Sequence, residues 1–154
     1  MRQTTLPTDW ERSLLNASAR TTPEQEKEFA LLVDAASGQI TPHVASVLMH
    51  TFSDASDFGT QEAVCSALAS GAPRVTLCAI LEEMPRLSRE APEWAESLLC
   101  TELEHRIQLV LELLHASSVE VRAAVRSIII KPEFVEFQPK ALLLQKALHN
   151  AIDA

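Results

Sequence analysis

Two Glu-x-x-His pairs provide the side chains best suited to binding a metal ion: Glu102 with His105, and Glu112 with His115. Di-metal helical bundles place such pairs on different helices, so that all the ligands face one cavity. Here the pairs stand ten residues apart in one predicted helix. At about 100° and 1.5 Å of rise per residue, they point about 80° apart and are separated by about 15 Å. The spacing therefore argues against a shared metal site, and we expect no metal and no cofactor.

Other patterns that support catalysis are incomplete. His43, His50 and His149 are scattered, without the cysteine or carboxylate spacing of a zinc site. The glycines stand alone, so they form no phosphate-binding loop, and no Gly-x-Ser-x-Gly sequence marks a nucleophilic serine. The three widely spaced cysteines lie in apolar helical patterns, which predicts buried and reduced thiols. A cysteine nucleophile stays open only if folding brings it to a histidine, and the sequence favours a protein that is not an enzyme.

The chain is acidic, with a net charge of −8, and its charge is unevenly distributed. Residues 21–66 and 67–121 carry net charges of −6 and −5, whereas residues 1–20 and 122–154 carry +1 and +2. A negative field repels phosphate backbones and anionic lipid headgroups, so we expect no direct contact with nucleic acid or membrane. The charge suits a basic protein partner, although a solvated face kept acidic for solubility has the same composition.

Length and hydropathy predict one cytoplasmic domain. A chain of 154 residues with 47% apolar residues is long enough to bury a core. Its apolar runs are too short to cross a membrane, and the N-terminus lacks the apolar stretch of a signal peptide. We expect a single helical domain over residues 1–154, with an N-terminal arm or helix over 1–20 and a helical core over 21–154.

Helix signals dominate the chain. Thr22 as N-cap, Pro23 at the first helical position and Gln25 three residues after the cap predict a helix start. Gly38 supplies a left-handed stop for the same helix. Further on, Pro73 and Pro92 are each expected to begin a helix.

Two more helix starts are predicted from hydroxyl side chains. Thr60 is expected to cap a helix that ends at Gly71, and Ser117 with Glu120 forms a predicted capping box. The apolar stripe after Glu120 predicts one buried face. On the opposite side, Arg122 and Arg126 are expected to be exposed, and with Lys131 they form a basic cluster on a solvated face.

A weak internal period accompanies these helices. Pro42, Pro73 and Glu102 open similar segments at spacings of 31 and 29 residues. Stacked antiparallel helical hairpins, as in a HEAT-like solenoid, would explain the period, and an irregular helical bundle with coincidental spacing is the alternative. Either way the predicted fold class is all-α, because no segment alternates long enough to form a strand and three glycines favour few tight hairpins.

Trp94 is unusual in a chain in which aromatic residues make up 5%. It stands between Glu93 and Glu96, two residues after Pro92, where the positive end of a helix dipole favours carboxylates. One interpretation is a core tryptophan that fixes this helix to its neighbour. The other is a partly exposed anchor ringed by acidic residues, of the kind that dominates binding energy at interfaces.

Two segments resemble those of a known family. Residues 81–106, LEEMPRLSREAPEWAESLLCTELEHR, resemble the segment around the Pro-Glu-Trp-Ala motif of the immunity protein 30 family. Residues 47–68, VLMHTFSDASDFGTQEAVCSAL, resemble that family's other typical segment, an aspartate-containing loop that enters a helix. The resemblance covers roughly residues 40–130, and the family more usually has a denser acidic run in that loop.

The resemblance implies an immunity protein of a bacterial polymorphic-toxin or contact-dependent inhibition system. Such a protein binds its cognate toxin domain and neutralises it without a catalytic residue. An acidic surface would suit a basic toxin such as a nuclease, whose active-site cleft attracts phosphate. Whether inhibition plugs the active site or acts beside it stays open.

Charge and position then select the candidate toxin-binding residues, with one aromatic among them. They lie at a loop-to-helix junction and at the start of a later exposed turn: Asp54, Asp57 and Glu62, and Glu93, Trp94 and Glu96. In a stack of hairpins, our hypothesis places these two edges on one acidic surface.

Two other classes of function stay open. A helical-repeat adaptor would bind a peptide or protein partner along a concave surface. An enzyme of an unrecognised helical type would need a deep pocket lined by clustered carboxylates or histidines. The immunity hypothesis predicts that the gene immediately upstream encodes a large secreted protein with a toxin-like C-terminus.

Overall fold

The chain is all-α, as the sequence predicts. The computed structural model describes residues 5–56 and 59–152, and these ranges contain helices and no β-strand. The helices in chain order are α1 (Trp10–Ala17), α2 (Pro23–Ala36), α3 (Pro42–His50), α4 (Thr60–Ala69), α5 (Pro73–Glu90), α6 (Pro92–His115), α7 (Val119–Ile129), α8 (Pro132–Phe137) and α9 (Ala141–Ile152). No helix in the described ranges is both long and apolar enough to span a bilayer.

Contacts between Cα atoms group the chain into two compact units, Met1–Ala79 and Ile80–Ala154, with the boundary inside α5. In unit 1, α1 packs on α2 and α3, and α4 also packs on α2 and α3. In unit 2, α7, α8 and α9 contact one another, and α6 contacts α7 and α9.

Prolines and hydroxyl side chains set the helix starts. Helices α2, α3, α6 and α8 each have proline in the first turn, where its missing N–H has no helical acceptor to lose, and α5 begins at Pro73. Thr41 caps α3 in the way predicted for α2. In α2 itself, Thr22 Oγ1 accepts a hydrogen bond at 3.1 Å from the Gln25 N–H, so the predicted cap is confirmed.

The N-terminal segment contributes a packed helix to unit 1. Trp10, Leu14 and Ala17 are buried on one face of α1, and Trp10 is only 3% exposed. Its indole Nε1–H donates to the Leu32 carbonyl at 2.9 Å, which satisfies the one polar group of this buried ring. Residues 10–17 are therefore a helix rather than an arm.

Two glycines of unit 1 lie where another residue type would be unfavourable, one because of its backbone conformation and one because of a close contact. Gly38 follows α2 with φ of +80°, which confirms the predicted left-handed stop. A Cβ on Gly71 would lie 2.7 Å from Ile40 Cγ2, so the chain after α4 approaches Ile40 too closely for alanine. Helix α4 ends at Ala69, two residues before the predicted stop at Gly71.

The core of unit 2 contains the predicted face of α7. The apolar stripe is buried as expected: Val121, Ala124, Val125, Ile128 and Ile129. Helix α9 buries Leu144 and Leu148, and α6 buries Leu103 and Val110. Together these residues form the apolar interior of the three mutually contacting helices.

The predicted cap at Thr60 is wrong by one residue. Gly59 holds the N-cap position with φ of +89°, a left-handed conformation that a β-branched threonine disfavours. Thr60 is instead the first helical residue, and its hydroxyl donates to Glu26 Oε1 at 3.3 Å. The hydroxyl thus links α4 to α2 rather than capping its own helix.

The predicted capping box at Ser117 is also wrong by one residue. Ser118 is the N-cap of α7 and accepts from the Val121 N–H at 3.2 Å. Ser117 Oγ donates to the Leu113 carbonyl at 2.7 Å, so this serine satisfies the C-terminal end of α6. With two adjacent serines, the first ends one helix and the second begins the next.

Glu102 does not open a helix. Helix α6 runs through it from Pro92 to His115, and its irregular residue is Arg106, with φ of −143° and ψ of +42°. Arg106 Nη1 donates to both Glu102 carboxylate oxygens, at 3.0 and 2.8 Å, and Glu102 is buried. The second spacing of the predicted period therefore marks no helix start.

Arg122 and Arg126 are half-buried, not exposed as predicted. Arg122 Nη1 donates to the Ser117 carbonyl, and Arg126 Nη2 donates to the Leu148 carbonyl at 3.2 Å. Ser117 lies between α6 and α7, and Leu148 lies about one turn before the end of α9. The two arginine side chains are half-buried rather than solvated because they extend to these carbonyl acceptors.

Candidate partner-binding surface

The unit 1 part of the predicted site lies between α3 and α4. Asp54 is exposed in that loop, and Glu62 is exposed in the first turn of α4. We call these two side chains the junction carboxylates. The third predicted residue, Asp57, lies outside the described residues. Because the junction carboxylates are solvated, they contribute mainly a negative field rather than fixed contacts.

A buried glutamine holds the loop that carries Asp54. Gln61 is 1% exposed, its Oε1 accepts from the Ser53 N–H at 2.7 Å, and its Nε2 donates to the Ala55 carbonyl at 3.3 Å. Arg20 Nη2 adds a bond to Ser53 Oγ at 3.1 Å. Side chains of α4 and of the segment after α1 therefore fix the residues on both sides of Asp54 by hydrogen bonds.

Cys65 lies about one helical turn after Glu62 on α4. Burial raises the pKa of Cys65 to about 11, and the negative charge of Glu62 raises it as well. The thiol, not the nucleophilic thiolate, is therefore the form present at neutral pH. Cys65, Cys78 and Cys100 are all half-buried, so they are less buried than predicted.

The unit 2 part of the predicted site opens α6. Glu93 is exposed in its first turn, whereas Trp94 is half-buried, between the two situations that the sequence left open. Glu96 Oε1 lies 2.6 Å from Lys131 Nζ in an ion pair whose two side chains are 37% and 43% exposed. The predicted residues at this position therefore differ in role, since Glu96 is already paired.

An open groove of about 410 Å³ contains two of the predicted carboxylates. Helix α6 lines one side and α8 the other, and we call this feature the acidic groove. Its lining residues are Glu93, Glu96, Ser97, Cys100, Thr101, Glu133, Phe134 and Phe137. Trp94 is not among them.

The two phenylalanines of α8 have opposite environments. Phe134 is 6% exposed and anchors α8 in the core of unit 2, whereas Phe137 is 82% exposed on the groove. A ring this exposed contributes almost nothing to folding and stays available to a partner. The groove thus combines an apolar anchor with carboxylates.

A second buried glutamine fixes the end of α8 against α6. Gln138 Nε2 donates to the Cys100 carbonyl at 3.3 Å and to Glu104 Oε2 at 3.2 Å. Lys140 Nζ donates to the Glu104 carbonyl at 2.9 Å. The hydrogen bond from Gln138 and the charge of Lys140 hold the pKa of Glu104 below its usual range.

The groove carries a net negative charge. It presents three carboxylates, and the adjacent Lys131 pairs with Glu96. The carboxylates of Glu93 and Glu133 have no hydrogen bond or ion pair to any residue within 5–56 or 59–152. Their charges are therefore available to a basic partner.

The candidate metal ligands do not assemble. Among residues 5–56 and 59–152, no group of three or more histidine, cysteine, aspartate or glutamate side chains is arranged to hold a metal ion. Glu102 is bound to Arg106, and His105 is exposed one turn away on the same helix. Both Glu-x-x-His pairs lie on α6, as predicted.

No protein-family model matches this chain, and no match was found among curated proteins or among solved structures.

Sequence reasoning missed Glu133, Phe137 and Gln138. The available signal is the segment KPEFVEFQPK, in which Pro132 begins a helix and prolines seven residues apart limit it to two turns at most. Phe134 and Phe137 are three residues apart, so periodicity alone predicts that both face the core. A six-residue helix ends before the second ring is covered, and that detail depends on tertiary packing.

Proposed function

We propose that this chain is an immunity protein that binds and neutralises a cognate basic toxin domain, with the acidic groove as its principal contact. The observation that carries the proposal is the juxtaposition of Phe137, 82% exposed, with the unpartnered carboxylates Glu93 and Glu133 along one groove. The resemblance to the immunity protein 30 family motivates the choice of a toxin as partner.

The groove has the composition that tight binding requires. Aromatic anchors supply most of the binding energy at interfaces, and charges at the edge speed association with a partner of opposite sign. An inhibitor of a lethal toxin needs a sub-nanomolar dissociation constant, which corresponds to more than about 12 kcal/mol. Carboxylates alone do not supply this energy, because exposed ion pairs contribute only about 0–1 kcal/mol each.

Neutralisation by binding requires no chemistry from this chain. The proposed protein acts in the cytoplasm and uses no cofactor, and its partner is a protein rather than a nucleic acid or a membrane. The raised pKa of Cys65 is compatible with this role, because a protonated thiol is a poor nucleophile.

The adaptor alternative draws less support. Its sequence argument was a repeat opened by three residues, and the third, Glu102, lies inside α6. The adaptor would bind a partner without abolishing that partner's activity, so one assay of toxicity distinguishes the two functions.

Co-purification with the product of the gene immediately upstream tests the proposal. We expect the wild-type chain to co-purify with the C-terminal domain of that product and to rescue growth of cells that express it. The test variant is E93K/E133K, which reverses both unpartnered carboxylates of the groove. The matched control is E28K/D34K, the same charge change at two exposed positions of α2.

The outcomes distinguish two questions: whether the chain neutralises a toxin, and whether the acidic groove is the surface that binds it. Rescue by the wild type and the control, together with failure of E93K/E133K at unchanged helical content, supports the proposal. Equal rescue by both variants would place the interface elsewhere. Binding of the upstream product without rescue would favour the adaptor.

A further inference from the structure

A second groove in unit 2 has the opposite charge. It measures about 580 Å³ and lies between α7 and α9, and we call it the basic groove. Its lining residues are Arg126, Ile130, Leu142, Gln145, Lys146 and His149. It falls within residues 122–154, which carry +2 in a chain of net charge −8.

The basic groove is held open by its own hydrogen bonds. Gln145 Nε2 donates to the Ile129 carbonyl at 2.6 Å, and Arg126 Nη2 donates to the Leu148 carbonyl at 3.2 Å. Each bond joins a side chain of one helix to the backbone of the other, so the spacing of α7 and α9 is fixed before any ligand binds. A preformed site avoids the cost of ordering on binding.

The groove exposes apolar side chains next to cationic ones. Ile130 is 59% exposed and Leu142 is 54% exposed. Lys146 is exposed, and its ammonium group has no hydrogen bond or ion pair within the described part of the chain. The occupant that fits presents a bulky apolar side chain flanked by carboxylates, because it would satisfy both features together.

Helix α8 presents such a feature. Phe137 is 82% exposed, and Glu133 and Glu136, on the same two-turn helix, are exposed without a partner in the described ranges. We propose that the basic groove binds α8 of a second copy of this chain, with Phe137 seated on Ile130 and Leu142. The carboxylates of that α8 would then face Lys146 and Arg126.

A nucleic acid fits this groove less well than α8. The exposed apolar side chains gain nothing from a phosphate backbone, and the net charge of −8 repels it. The α8 of a second copy uses the apolar and the cationic side chains together.

Self-association would occupy Phe137 and Glu133, the same residues that the proposed toxin would contact. The two interactions therefore compete, and free chain would be held as oligomer until toxin displaces the second copy. This consequence goes beyond the proposed function, and self-association itself does not depend on it.

Sedimentation velocity of the intact chain, from micromolar to millimolar concentration at low salt, tests the proposal. We expect the mean mass to rise with concentration, and the association to weaken when salt screens the charges. K146E and E133K should each weaken it by roughly tenfold or more, because each creates a like-charge contact. K27E is the matched control for K146E, since Lys27 is exposed on α2 of unit 1.

Mixing the two variants gives the sharper result. K146E keeps an intact α8, and E133K keeps an intact basic groove, so an equimolar mixture should associate more strongly than either variant alone at the same total concentration. Loss of folding would not be restored by mixing. The proposal is overturned if the wild type stays monomeric throughout, if K27E disrupts association as strongly as K146E, or if the mixture associates no more strongly than either variant alone.

Discussion

The junction carboxylates of unit 1 and the acidic groove of unit 2 are both negatively charged, but they differ in the side chains beside the carboxylates. Asp54 and Glu62 are exposed, and the described residues around them offer no exposed aromatic ring. In the groove, Glu93 and Glu133 lie beside Phe137. Charge mainly sets how fast partners meet, whereas a buried aromatic contact sets how long they stay together. Under the proposed function, we expect the acidic groove to set the lifetime of the complex, because Phe137 lies beside its carboxylates, and the junction carboxylates to steer the partner's approach.

Each region is fixed by its own buried glutamine, and the two glutamines fix different kinds of structure. Gln61 fixes a loop, through the Ser53 N–H and the Ala55 carbonyl. Gln138 instead joins the end of α8 to the Cys100 carbonyl of α6. A surface carried by helices is more precisely placed than one on a loop, and the bond from Gln138 to Cys100 ties the end of α8 to α6. This difference also favours the groove as the main contact.

The largest expected effects come from the two phenylalanines of α8. Phe134→Ala should lower the free energy of unfolding by about 3–5 kcal/mol, because it empties a packed core position. Phe137→Ala should leave that free energy nearly unchanged but weaken partner binding by about 2–4 kcal/mol, as expected for an aromatic anchor. Urea unfolding measures the first quantity and calorimetric titration with the partner the second. A Phe137→Ala chain that binds as tightly as wild type would remove the groove from the interface.

Reversing charge in each region separates steering from lifetime. E93K/E133K should weaken partner binding by roughly a hundredfold and change both the association and the dissociation rate. D54K/E62K should slow association by roughly tenfold or less and leave dissociation unchanged. Stopped-flow kinetics at two salt concentrations measures both rates. A faster dissociation of D54K/E62K would mean that the junction carboxylates make close contacts.

Removing each glutamine tests how far each region depends on its buried amide. Gln61→Ala and Gln138→Ala should each cost about 1–3 kcal/mol of folding stability, because buried backbone groups lose their partners. Hydrogen exchange should locate the change at the Ser53 amide in the first variant. In the second, α8 should loosen and partner binding should fall. If Gln138→Ala binds normally, α8 does not need this anchor.

The sequence predicted most of the helices because their signals are local. Pro23, Pro73 and Pro92 begin helices as expected, and the apolar stripe of α7 is buried. The errors at Thr60 and Ser117 arose where two adjacent residues both suit a cap, and tertiary contacts decided between them. Glu102 was wrongly expected to open a helix because it lies 29 residues after Pro73, and this spacing is not accompanied by a helix start in α6.

The candidate site was less predictable than the fold. Glu93 and Glu96 were predicted from their position at a helix start, and both line the groove. The other wall comes from α8, about 40 residues further along the chain, and no periodicity links segments that far apart. The pairing of Glu96 with Lys131 was also hidden, because it depends on how α6 meets the segment before α8.

The smallest expected effect is on the pH dependence of stability, through Glu104, which accepts a hydrogen bond from Gln138. The hydrogen bond from Gln138 and the charge of Lys140 depress the pKa of Glu104 in the folded chain, so its contribution to stability is fully present above its unfolded pKa. It is lost as pH falls through the lower folded value. Glu104→Gln should therefore flatten the fall in stability at acid pH. The same substitution should matter less in a Gln138→Ala background, because the hydrogen bond from Gln138 to Glu104 is then already missing. Equal flattening in both backgrounds would assign the shift to Lys140 and leave Gln138 as a tie to the Cys100 carbonyl only.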